Sequence, residues 1–214
     1  MKSIIKPCPE PDRPLAVVLA EPIVSMLRDA MIVGETTALE ERETYHPSNY
    51  RGTQAYAEMV HLAALHLVSY GCSYKEIKGQ PRITTPGPNP VQIVFAHGKR
   101  IGNVVTMNKK GAVSQGLVRK NLRLIGQLSL FKTPEERASL GPLTVWAIAD
   151  RNDAEQLSLH LVVPEEIQKD GTAMIAQDIE TIYTGSLLPS PTIGNNLPQG
   201  VASEPSIEDG PGLQ

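Results

Sequence analysis

The sequence predicts a single α+β domain with a central buried helix, two antiparallel hairpins and a disordered C-terminal tail. Three observations carry this. Apolar residues fall at helical spacing over 51–70, residues 156–163 alternate with period two, and apolar runs come in pairs around turn residues rather than in strict strand–helix alternation. The 214 residues are 41% hydrophobic, which suits one core, and with only nine aromatics that core is built from Leu, Val, Ile, Ala and Met.

Residues 1–13 are polar and proline-rich and are expected as a flexible leader, with the domain occupying 14–186. A short apolar run at 15–20 suits a strand. Pro22 suits the first turn of a helix ending near Met31, and 34–50 reads as an exposed connection or short helix. The strongest element is the helix at 51–70, capped by Ser48 or Asn49 and stopped by Gly71. Tyr56, Met59, Val60, Ala63, Leu67 and Tyr70 share one face, and Leu62 and Leu65 widen it, which predicts burial on more than one side.

The proline-rich stretch 81–90 predicts a loop. A first hairpin is expected from 91–96 and 101–107 around a turn at 97–100, with a second turn at 108–111. Residues 112–128 read as a helix. Thr133, Pro134 and Glu136 form a helix start for a short element ending at Gly141. A second hairpin joins 143–149 to 156–163 around 150–153. Ile175, Ile179 and Ile182 favour a helix over 172–184. From 187 to 214 five prolines, no aromatic and no basic residue predict a disordered acidic tail.

Net charge is −3, but its distribution is uneven. The 58 residues of segment 77–134 hold ten Lys or Arg and no Asp or Glu, whereas 170–214 hold six acidic residues and no basic one. Such a segment makes a positive potential that attracts phosphate or an anionic surface; its plain alternative is a solvated face balanced by acidic neighbours from elsewhere in the fold. Lys99 and Arg100 at the first turn, Lys109 and Lys110 at the second, and Arg119, Lys120 and Arg123 on the following helix are the expected anion-binding residues. Phe95 and Phe131 are the only aromatics there, which disfavours single-strand binding by base stacking.

Other chemistries find little support. Neither phosphate-loop pattern occurs, and Gly98-Lys99-Arg100-Ile101-Gly102 lies in a hairpin. His61 and His66, five apart on a helix, diverge by about 140° and do not share a metal. Cys8 and Cys72 cannot form a four-thiolate zinc site and read as free thiols of a reducing compartment. Asp150 with Glu166 and Lys169 misses metal-nuclease spacing by one residue, and the Ser3–Lys6 and Ser129–Lys132 spacings lack their companion motifs. No metal, cofactor or catalytic residue is therefore expected.

The sequence reading is a non-enzymatic binding or assembly protein, coat-, matrix- or mobile-element-accessory-like, that contacts nucleic acid or an anionic membrane surface. A homo-oligomer or a partner protein is expected. With no sequon, no signal-peptide pattern and no run of eighteen apolar residues, an intracellular, soluble, cytoplasmic protein without a transmembrane segment is expected. The alternatives are an enzyme on a phosphorylated or nucleic-acid substrate, using His97 beside Lys99 and Arg100 or the acids of 150–166, and a protein–protein adaptor.

Overall fold

A computed structural model describes residues 19–41, 50–87, 90–107, 111–128, 141–152 and 156–187. The leader 1–13, the helix expected from Thr133, the turn with Lys109 and Lys110, and the tail beyond Leu187 lie outside the described residues. The fold is mixed α+β: three helices and a seven-stranded sheet among the described residues.

Helix α1 (Glu21–Glu40) has proline in its first turn, as expected, but continues nine residues past Met31. Its apolar stripe is the reason: Ile23, Leu27, Ala30, Met31 and Ala38 recur at helical spacing and are buried. Helix α2 (Tyr50–Ser69) packs along α1. The backbones come so close that a Cβ on Gly34 would lie 2.7 Å from Met59 N, so glycine is required there. The expected burial of α2 on more than one side is corrected: Leu65 and Val68 are exposed, and only the Met59–Ala63–Leu67 side is fully sealed.

The strands are β1 (Ser73–Ile77), β2 (Gln80–Thr84), β3 (Val91–Ile101), β4 (Val104–Met107), β5 (Leu143–Arg151), β6 (Gln156–Ile167) and β7 (Ala173–Ser186). Strand β2 falls in the stretch expected as a loop and pairs with β1 through a tight turn at Lys78–Gly79, both with positive φ. Strand β3 takes β2 at Gln92–Ile93 and β4 at 98–101, and its other neighbour is β5, in parallel register from Val91↔Leu143 to His97↔Ala149. The chain returns through helix α3 (Ala112–Leu128), the crossover that a parallel pair requires. Pairings β3–β4–β7–β6–β5–β3 close a ring of five strands, with the β1–β2 hairpin hanging from β3.

Closure divides the core in two. Outside the ring, Ile93, Phe95, Val145, Ala147, Leu159 and Leu161 face α1 and α2. The opposite faces of the same strands bring Val94, Ala96, Val105, Trp146, Ile148, Val162 and Met174 together with Leu117 and Val118 of α3. A five-stranded ring has room for side chains alone, so the helix pair packs outside it. Helix α3 lies across the end where β5 begins. The buried Asn121 amide donates to Thr144 O at 2.6 Å and accepts from Thr144 N at 2.8 Å, standing in for a neighbouring strand.

Two further expectations are corrected. Residues 97–100 are not a turn: β3 runs through them and turns at Gly102–Asn103. Gly98 marks a close approach instead, since a Cβ there would meet Val105 Cγ1 at 2.7 Å and Thr106 O at 2.8 Å. Residues 172–184 form no helix but most of β7. Its register slips by one residue between Leu159↔Tyr183 and His160↔Thr181, which reverses the side-chain alternation. Ile179 packs inside the ring and Ile182 on the helix side, as residues three apart on a strand do, while the slip leaves Ile182 and Tyr183 on the same side; the isoleucine spacing only imitates a helix.

Candidate anion-binding surface

The structure separates the expected anion-binding residues. Arg119, Lys120 and Arg123 stand on one face of α3, three and four residues apart, and all are exposed. None is ion-paired among the described residues. The α3 face opposite is used up, because Leu117, Val118, Asn121 and Leu124 are buried. Lys78, in the β1–β2 turn, is exposed, and Gln80, two residues on, donates to Ser114 Oγ in the first turn of α3 at 3.4 Å.

Lys99 and Arg100 lie elsewhere. From Gln92, at the α3 end, to Lys99 the extended strand covers about 23 Å, so the two basic groups occupy opposite ends of β3. Lys99 is exposed on the side of α1 and α2. Arg100 is committed: its backbone N–H donates to Asp150 Oδ2 at 2.8 Å, Nε to Gly102 O at 3.1 Å and Nη1 to Thr181 Oγ1 at 2.9 Å. The Thr181 hydroxyl that accepts from Arg100 also shares a hydrogen bond with His160 Nδ1 at 3.0 Å. Burial, with the Arg100 charge beside it, holds the His160 pKa below its ordinary value, against an opposing pull from Asp150.

A second polar cluster was not legible in the sequence. Glu35 is fully buried on the inner stripe of α1. Its Oε1 accepts from His97 Nε2 at 2.6 Å and its Oε2 from Arg151 Nη1 at 2.9 Å. Burial alone would raise the Glu35 pKa, but His97, Arg151 and Arg51 more than offset it and hold the carboxyl below its ordinary value. The one signal was position: Glu35 follows Met31 by four residues, inside an apolar stripe. This cluster ties α1 to the ends of β3 and β5. His97 points to Glu35 and Arg100 to the opposite face of β3, so the expected His97–Lys99–Arg100 grouping does not form.

The remaining candidates stay apart. Asp150 pairs with Ser158 in register, and Glu166 lies eight residues further along β6, about 26 Å away along an extended strand. Cys72 is buried and burial pushes its thiol up, away from the reactive thiolate. His61 and His66 are exposed on α2, and no group of three or more His, Cys, Asp or Glu that could hold a metal forms among the described residues. No described helix is long and apolar enough to cross a membrane. No family model, curated protein or solved structure matches this chain.

Proposed function

We propose that this protein is a nucleic-acid-binding module whose α3 lies along the phosphate backbone of a duplex. The carrying observation is the exposed trio Arg119, Lys120 and Arg123, without an ion pair among the described residues, on one face of a helix that packs on the ring from behind. An Arg pair one turn apart on a rigid element loses little freedom on meeting successive phosphates. A membrane-surface helix needs a broad apolar face for lipid, whereas among the described side chains of α3 Leu117, Val118 and Leu124 are buried in the fold and Leu122 is the large apolar one left exposed. No aromatic residue accompanies the trio on α3, which favours a duplex backbone over stacked single-stranded bases. Lys99 contributes at a distance and Arg100 is already bonded within the fold.

The test is a salt titration of binding to a mixed-sequence duplex, a single strand and anionic vesicles, using the full chain and an Arg119→Gln/Lys120→Gln/Arg123→Gln variant. The duplex is expected to bind best, with log K falling linearly against log salt. The triple variant is expected to flatten that slope by roughly 2–3, near 0.9 for each phosphate that is no longer neutralised. Vesicle binding with no duplex binding would make the surface a lipid-facing one, and identical slopes for both proteins would remove α3 from the interface.

A further inference from the structure

Strands β2, β3 and β5 lie side by side, and on the face turned away from α1 and α2 they raise Arg82, Gln92, Thr144 and Trp146 at neighbouring register positions. Three buried polar atoms there have no hydrogen-bond partner among the described residues: Arg82 Nε, Thr144 Oγ1 and Trp146 Nε1. Arg82 is only 7% exposed, yet no carboxylate reaches it among the described residues. Its bonds are long and go to neutral acceptors, from Nη1 to Gln92 Oε1 at 3.3 Å and from Nη2 to Gln80 Oε1 at 3.4 Å. A buried guanidinium left without a counter-charge and with an idle N–H is costly unless an anion completes it.

Groups that suit an anion adjoin Arg82. Gln80, half-buried at the rim, donates its amide to Ser114 Oγ, and Ser114 lies in the first turn of the 17-residue helix α3. Ser114 accepts that bond and keeps its own hydrogen to donate. The first-turn N–H groups of α3 and the positive end of its dipole add to the positive potential that Arg82 supplies.

We propose that Arg82, Gln80, Gln92 and Ser114 form a phosphate-group site at the N-terminus of α3. The phosphate oxygens take the unused guanidinium N–H groups and the Ser114 hydroxyl. The phosphate is either free or the terminal group of a nucleic acid lying along α3. Only the second source rests on the function proposed above.

Inorganic phosphate, titrated against chloride at constant ionic strength, is the first probe, read by Tm and by 15N-edited NMR of arginine Nε–H and of the Ala112 and Val113 amides. A saturable rise in Tm of a few degrees, with shifts at those resonances, is expected for the wild-type chain. Arg82→Met is expected to abolish the response while leaving the phosphate-free Tm unchanged or raised, because a buried charge with no carboxylate partner among the described residues is gone. A structural arginine behaves oppositely: Arg82→Met then lowers Tm equally with and without phosphate, and the wild type shows no saturable response, which overturns the proposal. Should Arg82→Met fail to fold, the wild-type NMR titration and Ser114→Ala decide: absent shifts, or an unaltered response in Ser114→Ala, also overturn it. The triple α3 variant keeps the inorganic phosphate response even where duplex binding is lost, so failure of one reading is visible apart from the other. A 5′-phosphorylated duplex binding more tightly than its 5′-hydroxyl twin identifies the nucleic-acid end as the source; equal binding alongside a phosphate response identifies free phosphate.

Discussion

A carboxylate among Met31, Ala38 and the outer face of the sheet is tolerable only because His97 and Arg151 reach it from two strands. Replacing Glu35 by Gln leaves Arg151 without its charge partner and an amide where an anion was solvated by two donors. A loss of about 3–5 kcal/mol is expected from breaking a buried pair, read as a lower urea midpoint at unchanged m-value. A loss below about 1 kcal/mol would show that this pair is solvated and does not clamp α1. Gly98 is the second residue on which the fold turns. Gly98→Ala drives a methyl into Val105 Cγ1 and Thr106 O, and overpacking of this kind is expected to cost about 1–3 kcal/mol in the same assay. These two positions also mark where sequence reading stopped. Glycine beside Lys99 and Arg100 carries turn chemistry, and nothing local distinguishes a glycine that bends a chain from one that lets two strands approach. Glu35 looks like one more charge in a polar stretch until the stripe of α1 is known to continue past Met31.

At the scale of elements, helices were the legible part, because their periodicity is local and long. The bounds of α3 coincide with the expected 112–128, and α2 differs from the expected helix by one residue at each end. Strand β6 opens with clean alternation and β5 is a continuous apolar run, and the two pair in antiparallel register from Trp146↔Val162 to Arg151↔Leu157. Strands β2 and β7 were missed for different reasons. Proline in β2 weighed against a strand, but β2 is short and its neighbour β1 is fully exposed, the setting where proline is tolerated. In β7 a bulge reversed the alternation, and bulges leave no mark in periodicity. The ring itself was not legible, since the β3–β5 pairing joins residues about fifty apart. Asn121 is its most exacting connector. Asn121→Leu keeps the volume and leaves both Thr144 backbone groups buried and unbonded. About 2–4 kcal/mol of destabilisation is expected from two such groups, measured by thermal or urea unfolding. Retention of full stability would mean that Thr144 finds water at that edge.

For the whole molecule, two buried groups act in the same direction on the response to acid, and Glu180, whose carboxyl is held above its ordinary value by burial and by Asp178, acts against the lower of them. The folded-state pKa of His160 lies below its ordinary 6.5, so the unfolded chain binds the proton first and stability falls as pH drops from that value toward the folded one. Glu35 has a folded-state pKa below its ordinary 4.5, so its contribution is complete above that value and drains away as pH falls further. Urea midpoints across pH 7 to 3 are expected to decline in two stages. His160→Gln should flatten the upper stage and leave the lower one. A profile that rises on acidification below pH 6.5 would reverse the assigned direction for His160.

The charge pattern was legible as a segment but not as a surface. The fold places Lys99 and Arg100 at one end of β3 and brings Arg119, Lys120 and Arg123 together on one face of α3. The proposed function rests on the second group. Its most direct test is the salt dependence of duplex binding by the wild-type chain and the Arg119→Gln/Lys120→Gln/Arg123→Gln variant, measured side by side. The expected result is a steep slope for the wild type that the variant flattens by roughly 2–3, with an unchanged Tm. A wild-type chain that does not bind duplex at low salt, or a variant with the wild-type slope, would contradict it.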